Sequence, residues 1–380
     1  MKIKSKTKPR LFGLFGAKPK LLISAIIIAA IITLVLLFTA AACKADTSNN
    51  SNSGSYKQSS ASSTDKNSVA AETSLEQVSK ESSQESQKNQ ENQESANFPI
   101  TVKDGLGNEI KIEKPVEKII VFVPSALEII NALDSMDKVI GVDNWSIDSG
   151  EPLAKGFEGF GDFQGLNMEK TTKANPDIII GLTGWAEADI QKLEELGIKL
   201  YIVQAQNVQD VYREILNMGK ILNKEEQAQK LSDSVKSAFD EVSKKVSNLK
   251  QEEKPKVFYE VWNDPLMSAG KNTFINDLIV YSGGINIVAE DGLEGWPEYS
   301  VENLIKNNPD VIIAPMSLAP NADTILKDAR FSEISAIKNK KVFIVPDNPV
   351  SRPSQNIVKG LNMFAKAIHP EIFGEFEVIE

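Results

Sequence analysis

One cysteine, Cys43, and one histidine, His369, are all that 380 residues supply of the two side chains that dominate zinc sites and nucleophile–base pairs. Cys43 lies near one end and His369 near the other, where it reads as a helix-end residue before Pro370. Disulfides within the chain and multi-Cys metal centres are excluded, and Cys-His or Ser-His-Asp catalysis is a poor candidate. Positive charge is also short: Lys and Arg number 42 against 52 Asp and Glu, for a net charge of -10. The first 42 residues hold seven of those bases and no acid, and residues 44–97 hold five bases and eight acids, so residues 98–380 carry about -14. Nucleic acid and acidic membrane surfaces are therefore not bound through bulk charge. No phosphate-binding fingerprint is present either. The Gly-rich stretch 156–165, GFEGFGDFQG, lacks both the dinucleotide pattern and a Gly-Lys-Ser/Thr ending. It reads as an edge loop that carries Phe163 toward a cleft.

The N-terminal basic cluster and the apolar run 21–42 form an export signal. The run ends in Phe38-Thr39-Ala40-Ala41-Ala42-Cys43, which resembles a bacterial lipobox, with Ala40 where Leu is usual. A lipid-modified Cys43 is the leading reading; an uncleaved anchor helix and an Ala-x-Ala cleavage site are the alternatives. Each puts the main body outside the cytoplasm. Residues 44–97 are mostly Ser, Asn, Gln, Lys and Glu, too polar to offset ordering entropy, and read as a disordered tether with a reach of about 40 Å. A long polar tether after a lipobox suits a Gram-positive cell surface.

Beyond residue 98 the chain repeats itself. Residues 167–181 read NMEKTTKANPDIIIG, and residues 300–314 read SVENLIKNNPDVIIA. Each copy has a Glu (Glu169, Glu302) opening a short helix, a Pro (Pro176, Pro309) that stops it, and an aliphatic run suited to a buried parallel strand. Two copies predict two similar three-layer α/β lobes with a cleft between them. A β-hairpin is expected over 98–117, a first lobe over 118–223 and a second over 253–380, with strands alternating with helices in each. Between them, residues 224–251 carry one apolar stripe at Ala228, Leu231, Val235, Phe239, Val242, Val246 and Leu249. That spacing predicts a rigid helix of nearly 28 residues, about 42 Å long, packed across both lobes. A coiled-coil arm is the weaker reading, because its flanking charge pattern is missing.

All four tryptophans fall near predicted strand ends: Trp145, Trp185 and Trp262 close or follow strands, and Trp296 precedes the second repeat. Ligands of open α/β sheets bind outside the carboxyl ends of the strands. Core packing explains any one Trp well, but four together fit a wall of aromatic faces for a large, flat, partly apolar ligand. Arg352, after the last predicted strand, either holds a polar edge of that ligand or caps local carbonyls.

Three stretches are the most specific: Gln164-Gly165-Leu166-Asn167-Met168-Glu169, then Phe258-Tyr259-Glu260-Val261-Trp262-Asn263-Asp264-Pro265 with Ser268-Ala269-Gly270-Lys271, and Trp296-Pro297-Glu298-Tyr299-Ser300-Val301-Glu302. Through them, residues 118–369 resemble the solute-binding proteins of ABC importers for iron-siderophores, haem and cobalamin, with the cobalamin-binding branch most similar. The resemblance implies two α/β lobes joined by one long helix, a ligand between them, and no turnover, metal or cofactor. It implies that Trp145, Phe163, Trp262 and Trp296, with Trp185 as a looser match, line a corrinoid site. It also implies that Glu169 and Glu302 meet Arg residues of a membrane permease, and that the receptor is a lipid-anchored monomer.

Rival readings remain. A ferric-siderophore or haem receptor is the nearest, although anionic chelates want several cations at the mouth and only Arg352 is placed there. An extracellular hydrolase could pair Glu260 with Asp264 or Glu298 with Glu302, but these acids have ordinary surface explanations. A sensor or adhesive domain without a transported ligand is the third.

Overall fold

The structure, a computed structural model, describes residues 98–378. The export signal, Cys43 and the expected tether lie outside the described residues. The expected hairpin is present, with β1 (Ile100–Lys103) antiparallel to β2 (Glu109–Ile112). Asp104 holds its turn by accepting the backbone N–H groups of Leu106 and Asn108.

The first lobe runs β3 (Ile119–Val121), α1 (Pro124–Ala132), β4 (Val139–Val142), α2 (Asn144–Asp148), β5 (Gly161–Asp162), β6 (Gly165–Leu166), α3 (Met168–Ala174), β7 (Ile178–Gly181), α4 (Glu187–Glu195), β8 (Lys199–Ile202) and α5 (Val208–Leu222). After α6 (Glu225–Val246) the second lobe follows as β9 (Lys256–Tyr259), β10 (Trp262–Asn263), β11 (Leu266–Met267), α7 (Phe274–Tyr281), β12 (Ile285–Asn286), α8 (Ile287–Glu290), α9 (Val301–Asn307), β13 (Val311–Pro315), α10 (Asp323–Leu326), α11 (Ser335–Lys338), β14 (Val342–Val345), α12 (Asn348–Ser351), α13 (Ile357–Ile368) and α14 (Pro370–Phe373).

Both main sheets are parallel and share one order: β4-β3-β7-β8 in the first lobe and β12-β9-β13-β14 in the second. Numbered within each lobe, that order is 2-1-3-4 twice. The repeated sequence stretches supply the third strand of each sheet, β7 and β13. Their surroundings repeat too. Asp177 accepts the Lys118 N–H at 3.0 Å just before β3, and Asp310 accepts the Lys256 N–H at 2.9 Å at the start of β9. Both repeat helices end at an Asn in the left-handed conformation, Asn175 and Asn308. The stop therefore comes from Asn before the Pro can act, since Asn tolerates the αL position that closes a helix.

Buried aliphatic strands need cover on both faces. A core of Ile119, Val121, Ile130, Ile178, Ile180, Val257, Ile313, Phe364 and Ile368, among others, runs continuously through both lobes. Smaller cores cover the other faces, around Phe122, Phe160 and Trp185 in the first lobe and around Phe258, Tyr299 and Phe331 in the second.

Helix α6 packs on α5 of the first lobe and on α7 and α13 of the second, burying Ala228, Val235, Phe239, Val242 and Val246. It has 22 residues rather than nearly 28, so it spans about 33 Å. The early end has a local cause. The Ser247 hydroxyl donates to the Lys244 carbonyl at 2.8 Å, and the Leu249 N–H turns back onto the Val246 carbonyl. Val246 itself seats against Gly283, where an added Cβ would come within 2.8 Å of its side chain.

Candidate functional site

The inter-lobe space is defined by what joins the two sheets. Arg352, beyond the end of β14, donates to Glu128 Oε1 at 2.9 Å and to Glu151 Oε2 at 2.7 Å. Glu128 is on α1, which follows β3, and Glu151 comes just after α2, which follows β4. The loops beyond the carboxyl ends of both sheets therefore meet, which is where the 2-1-3-4 order places a ligand crevice.

Four of the expected aromatics stand around these loops with surface to offer. Trp145 is half-buried on α2, three residues past β4. Asp143 anchors that helix by accepting the Ser146 N–H at 2.7 Å and its hydroxyl at 2.6 Å, while burial pushes the Asp143 carboxyl above its usual range. Phe163 tops the two-residue turn between β5 and β6 and is 39% exposed. The turn is tight at its base, since Gly161 has φ +129° and a Cβ there would lie 2.3 Å from the Gly165 carbonyl oxygen. Trp262 is half-buried at the base of the β10–β11 hairpin, its indole N–H donating to the Asp264 carbonyl at 2.8 Å. Trp296 is half-buried and meets Phe274 edge-on, with centroids 6.0 Å apart.

The last two aromatics share one platform. The Tyr299 N–H donates to the Leu266 carbonyl, the Ser268 N–H to the Pro297 carbonyl, and the Gly270 N–H to the Gly295 carbonyl at 2.8 Å. Gly270 has no substitute there, because a Cβ would sit 2.3 Å from the Leu293 carbonyl oxygen.

Three expectations need correction. Trp185 is 6% exposed, packed edge-on against Phe122 at 4.8 Å among Ile120, Phe160, Ile179 and Leu193. It is a core residue of the first lobe and presents no face to a ligand. Arg352 neither caps carbonyls nor stands free, because Glu128 and Glu151 take its guanidinium. Burial works against that charge, but the bonds to Glu151 and Glu128 outweigh it and keep Arg352 ionised. Glu260, expected as a surface acid, has no exposed surface, while Asp264 is exposed at the hairpin tip, so they form no catalytic pair.

Glu169 and Glu302 are both exposed and occupy equivalent first-turn positions of α3 and α9. Each helix is capped just before the Glu, by Asn167 accepting the Lys170 N–H at 3.0 Å and by Ser300 accepting the Asn303 N–H at 3.1 Å. Neither Glu is needed to cap its helix.

Sequence reasoning missed Glu128 and Glu151, and no local signal marks them, since their partner is more than 200 residues away. The β10–β11 hairpin was within reach: Asn263-Asp264-Pro265 between Val261-Trp262 and Leu266-Met267 is a turn signal.

Comparison with known proteins follows the same lines. A family described as periplasmic binding protein matches residues 119–349. An uncharacterized ABC transporter substrate-binding lipoprotein, YvrC of Bacillus subtilis, is 31% identical over 284 residues, covering 73% of this chain and 88% of that protein. A vitamin B12-binding protein of Vibrio campbellii is 24% identical over 248 residues, covering 65% of this chain and 87% of that one. Among solved structures, a possible iron-binding periplasmic solute-binding protein from Staphylococcus epidermidis superposes with a TM-score of 0.59 at 31% identity, covering 67% of this chain and all of that one.

Proposed function

The chain belongs to the periplasmic binding protein family, is the non-enzymatic substrate-binding component of an ABC importer, and, we propose, captures a corrinoid. Two observations carry the ligand choice: Arg352 is paired with Glu128 and Glu151, and Trp145, Phe163, Trp262 and Trp296 keep exposed or half-buried surface. A site whose expected cation is already neutralised by two carboxylates gives little to an anionic siderophore. Aromatic faces without that charge suit a large, flat, mostly neutral ring system. The similarity to vitamin B12-binding proteins points the same way. A ferric-siderophore or haem ligand is the alternative, supported by the likeness to a possible iron-binding protein.

Lipidation at Cys43 would hold the receptor at the outer face of the membrane, as the likeness to a substrate-binding lipoprotein supports. Glu169 and Glu302, one per lobe and exposed at matching sites, are the proposed grips on the permease. Titration of the purified protein with cobalamin, haem and ferric siderophores, read by tryptophan fluorescence, tests the ligand: strong quenching by cobalamin supports the reading, and quenching by a ferric siderophore alone overturns it.

A further inference from the structure

Past the end of β9, Glu260 still donates its backbone N–H to the Ile313 carbonyl at 2.9 Å, so its backbone is fixed to the sheet. Its side chain has no exposed surface. One carboxyl oxygen accepts the Asn263 amide at 2.9 Å, and the other is buried with no hydrogen-bond partner among the described residues. Asn263 in turn accepts Arg330 on its side-chain oxygen at 2.7 Å, and Arg330 is gripped by both oxygens of Asp328. A relay thus runs from the sheet through β10 to the turn Ala329–Phe331. Trp262 is the neighbour of Asn263 in β10 and the first residue of the hairpin.

We propose that Glu260 is a positioning residue for ligand capture: through Asn263 it holds the β10–β11 hairpin at the height that presents the Trp262 ring to the cleft. The inference rests on the reading that Trp262 lines the ligand site. The geometry asks for a neutral carboxyl, because an ionised oxygen without a partner is far more costly to bury than a neutral one. Burial, set against the Asn263 bond, pushes Glu260 up to about 7. The charged groups that act on it are Asp328, which opposes its ionisation, and Arg330, which favours it; Asp264 reaches the relay through Arg330. Near neutral pH the carboxyl is therefore poised between a neutral form that the closed site tolerates and an ionised form whose unpartnered oxygen draws in water or Arg330 and shifts the hairpin.

The test has two arms. In the first, the indole N–H resonance of Trp262, identified by its loss in Trp262→Phe, is followed by nitrogen-15 NMR of the unliganded protein from pH 5 to 9. It should shift with one midpoint near 7 and stay flat in Glu260→Gln, whose amide mimics the neutral acid. A resonance that does not titrate in the wild type, or that titrates equally in Glu260→Gln, overturns the proposal. In the second arm, cyanocobalamin affinity should fall about fivefold across that range in the wild type as the ionised carboxyl shifts the hairpin, a change of the size of one net hydrogen-bond contribution, and be constant in Glu260→Gln. An affinity independent of pH in the wild type overturns the positioning role. If cyanocobalamin does not bind at all, the corrinoid reading fails, and the NMR arm decides the relay by itself.

Discussion

Arg352 donates to Glu128 at 2.9 Å across 224 positions of sequence, tying the loop beyond the last strand of the second lobe to the first helix of the other. Ser354 and Asn356 add bonds to the same carboxylate, and Gln355 bonds the Glu128 carbonyl. With Glu151 also on Arg352, one guanidinium closes a buried network between the lobes. The Val208 N–H at the head of α5 meets Asp277 of α7 at 2.9 Å, a second cross-lobe bond. These bonds and α6 favour a pair of lobes that moves little on capture.

Removing the cation should show this directly. Arg352→Ala leaves two largely buried carboxylates without their cation and is expected to lower the unfolding free energy by about 3 to 5 kcal/mol, read by urea denaturation. A loss under about 1 kcal/mol, the range of exposed pairs, would mean that the network does not hold the lobes.

Trp185 separates packing from binding. Trp185→Ala should cost about 3 to 5 kcal/mol of stability through lost burial and a residual cavity. A Trp185→Ala protein as stable as wild type, yet weak in ligand binding, would restore Trp185 to the ligand wall.

Ionisation of Glu260 links stability to pH. Its carboxyl titrates near 7 in the folded chain against 4.5 for an unperturbed Glu, so the folded state holds the proton more tightly than the unfolded one. Its contribution is complete below about 4.5 and is lost as pH rises through 7. A tenfold difference in proton affinity between the two states is worth about 1.4 kcal/mol, so wild type should lose about 3 kcal/mol relative to Glu260→Gln between pH 4.5 and 8. Parallel stability curves for the two proteins would show that Glu260 binds its proton no more tightly in the folded chain than in the unfolded one.

The proposed docking role of Glu169 and Glu302 predicts a split between capture and delivery. Glu169→Ala with Glu302→Ala should leave ligand affinity unchanged and abolish uptake in cells. Uptake at the wild-type rate in the double variant would remove both residues from the permease contact.

Much of the architecture was legible because it is periodic and local. The two NPD stretches foretold β7 and β13. Helix α6 ran short because Ser247 and Leu249 bond back onto the Lys244 and Val246 carbonyls, while the apolar stripe itself runs on to Leu249 and gives no sign of the stop. Trp185 misled for a similar reason. Its place after β7 fits a site residue, and only the tertiary partner Phe122 shows that it turns inward. Glu260 looked like one acid of an alternating strand, but the strand ends at Tyr259 and the fold closes over it.

Corrinoid capture by an aromatic cleft is decided by titrating cyanocobalamin into the purified protein while following tryptophan fluorescence, with Trp296→Ala beside the wild type. Strong quenching at micromolar cobalamin is expected in the wild type, with weaker binding in Trp296→Ala; no quenching at that concentration would contradict corrinoid capture.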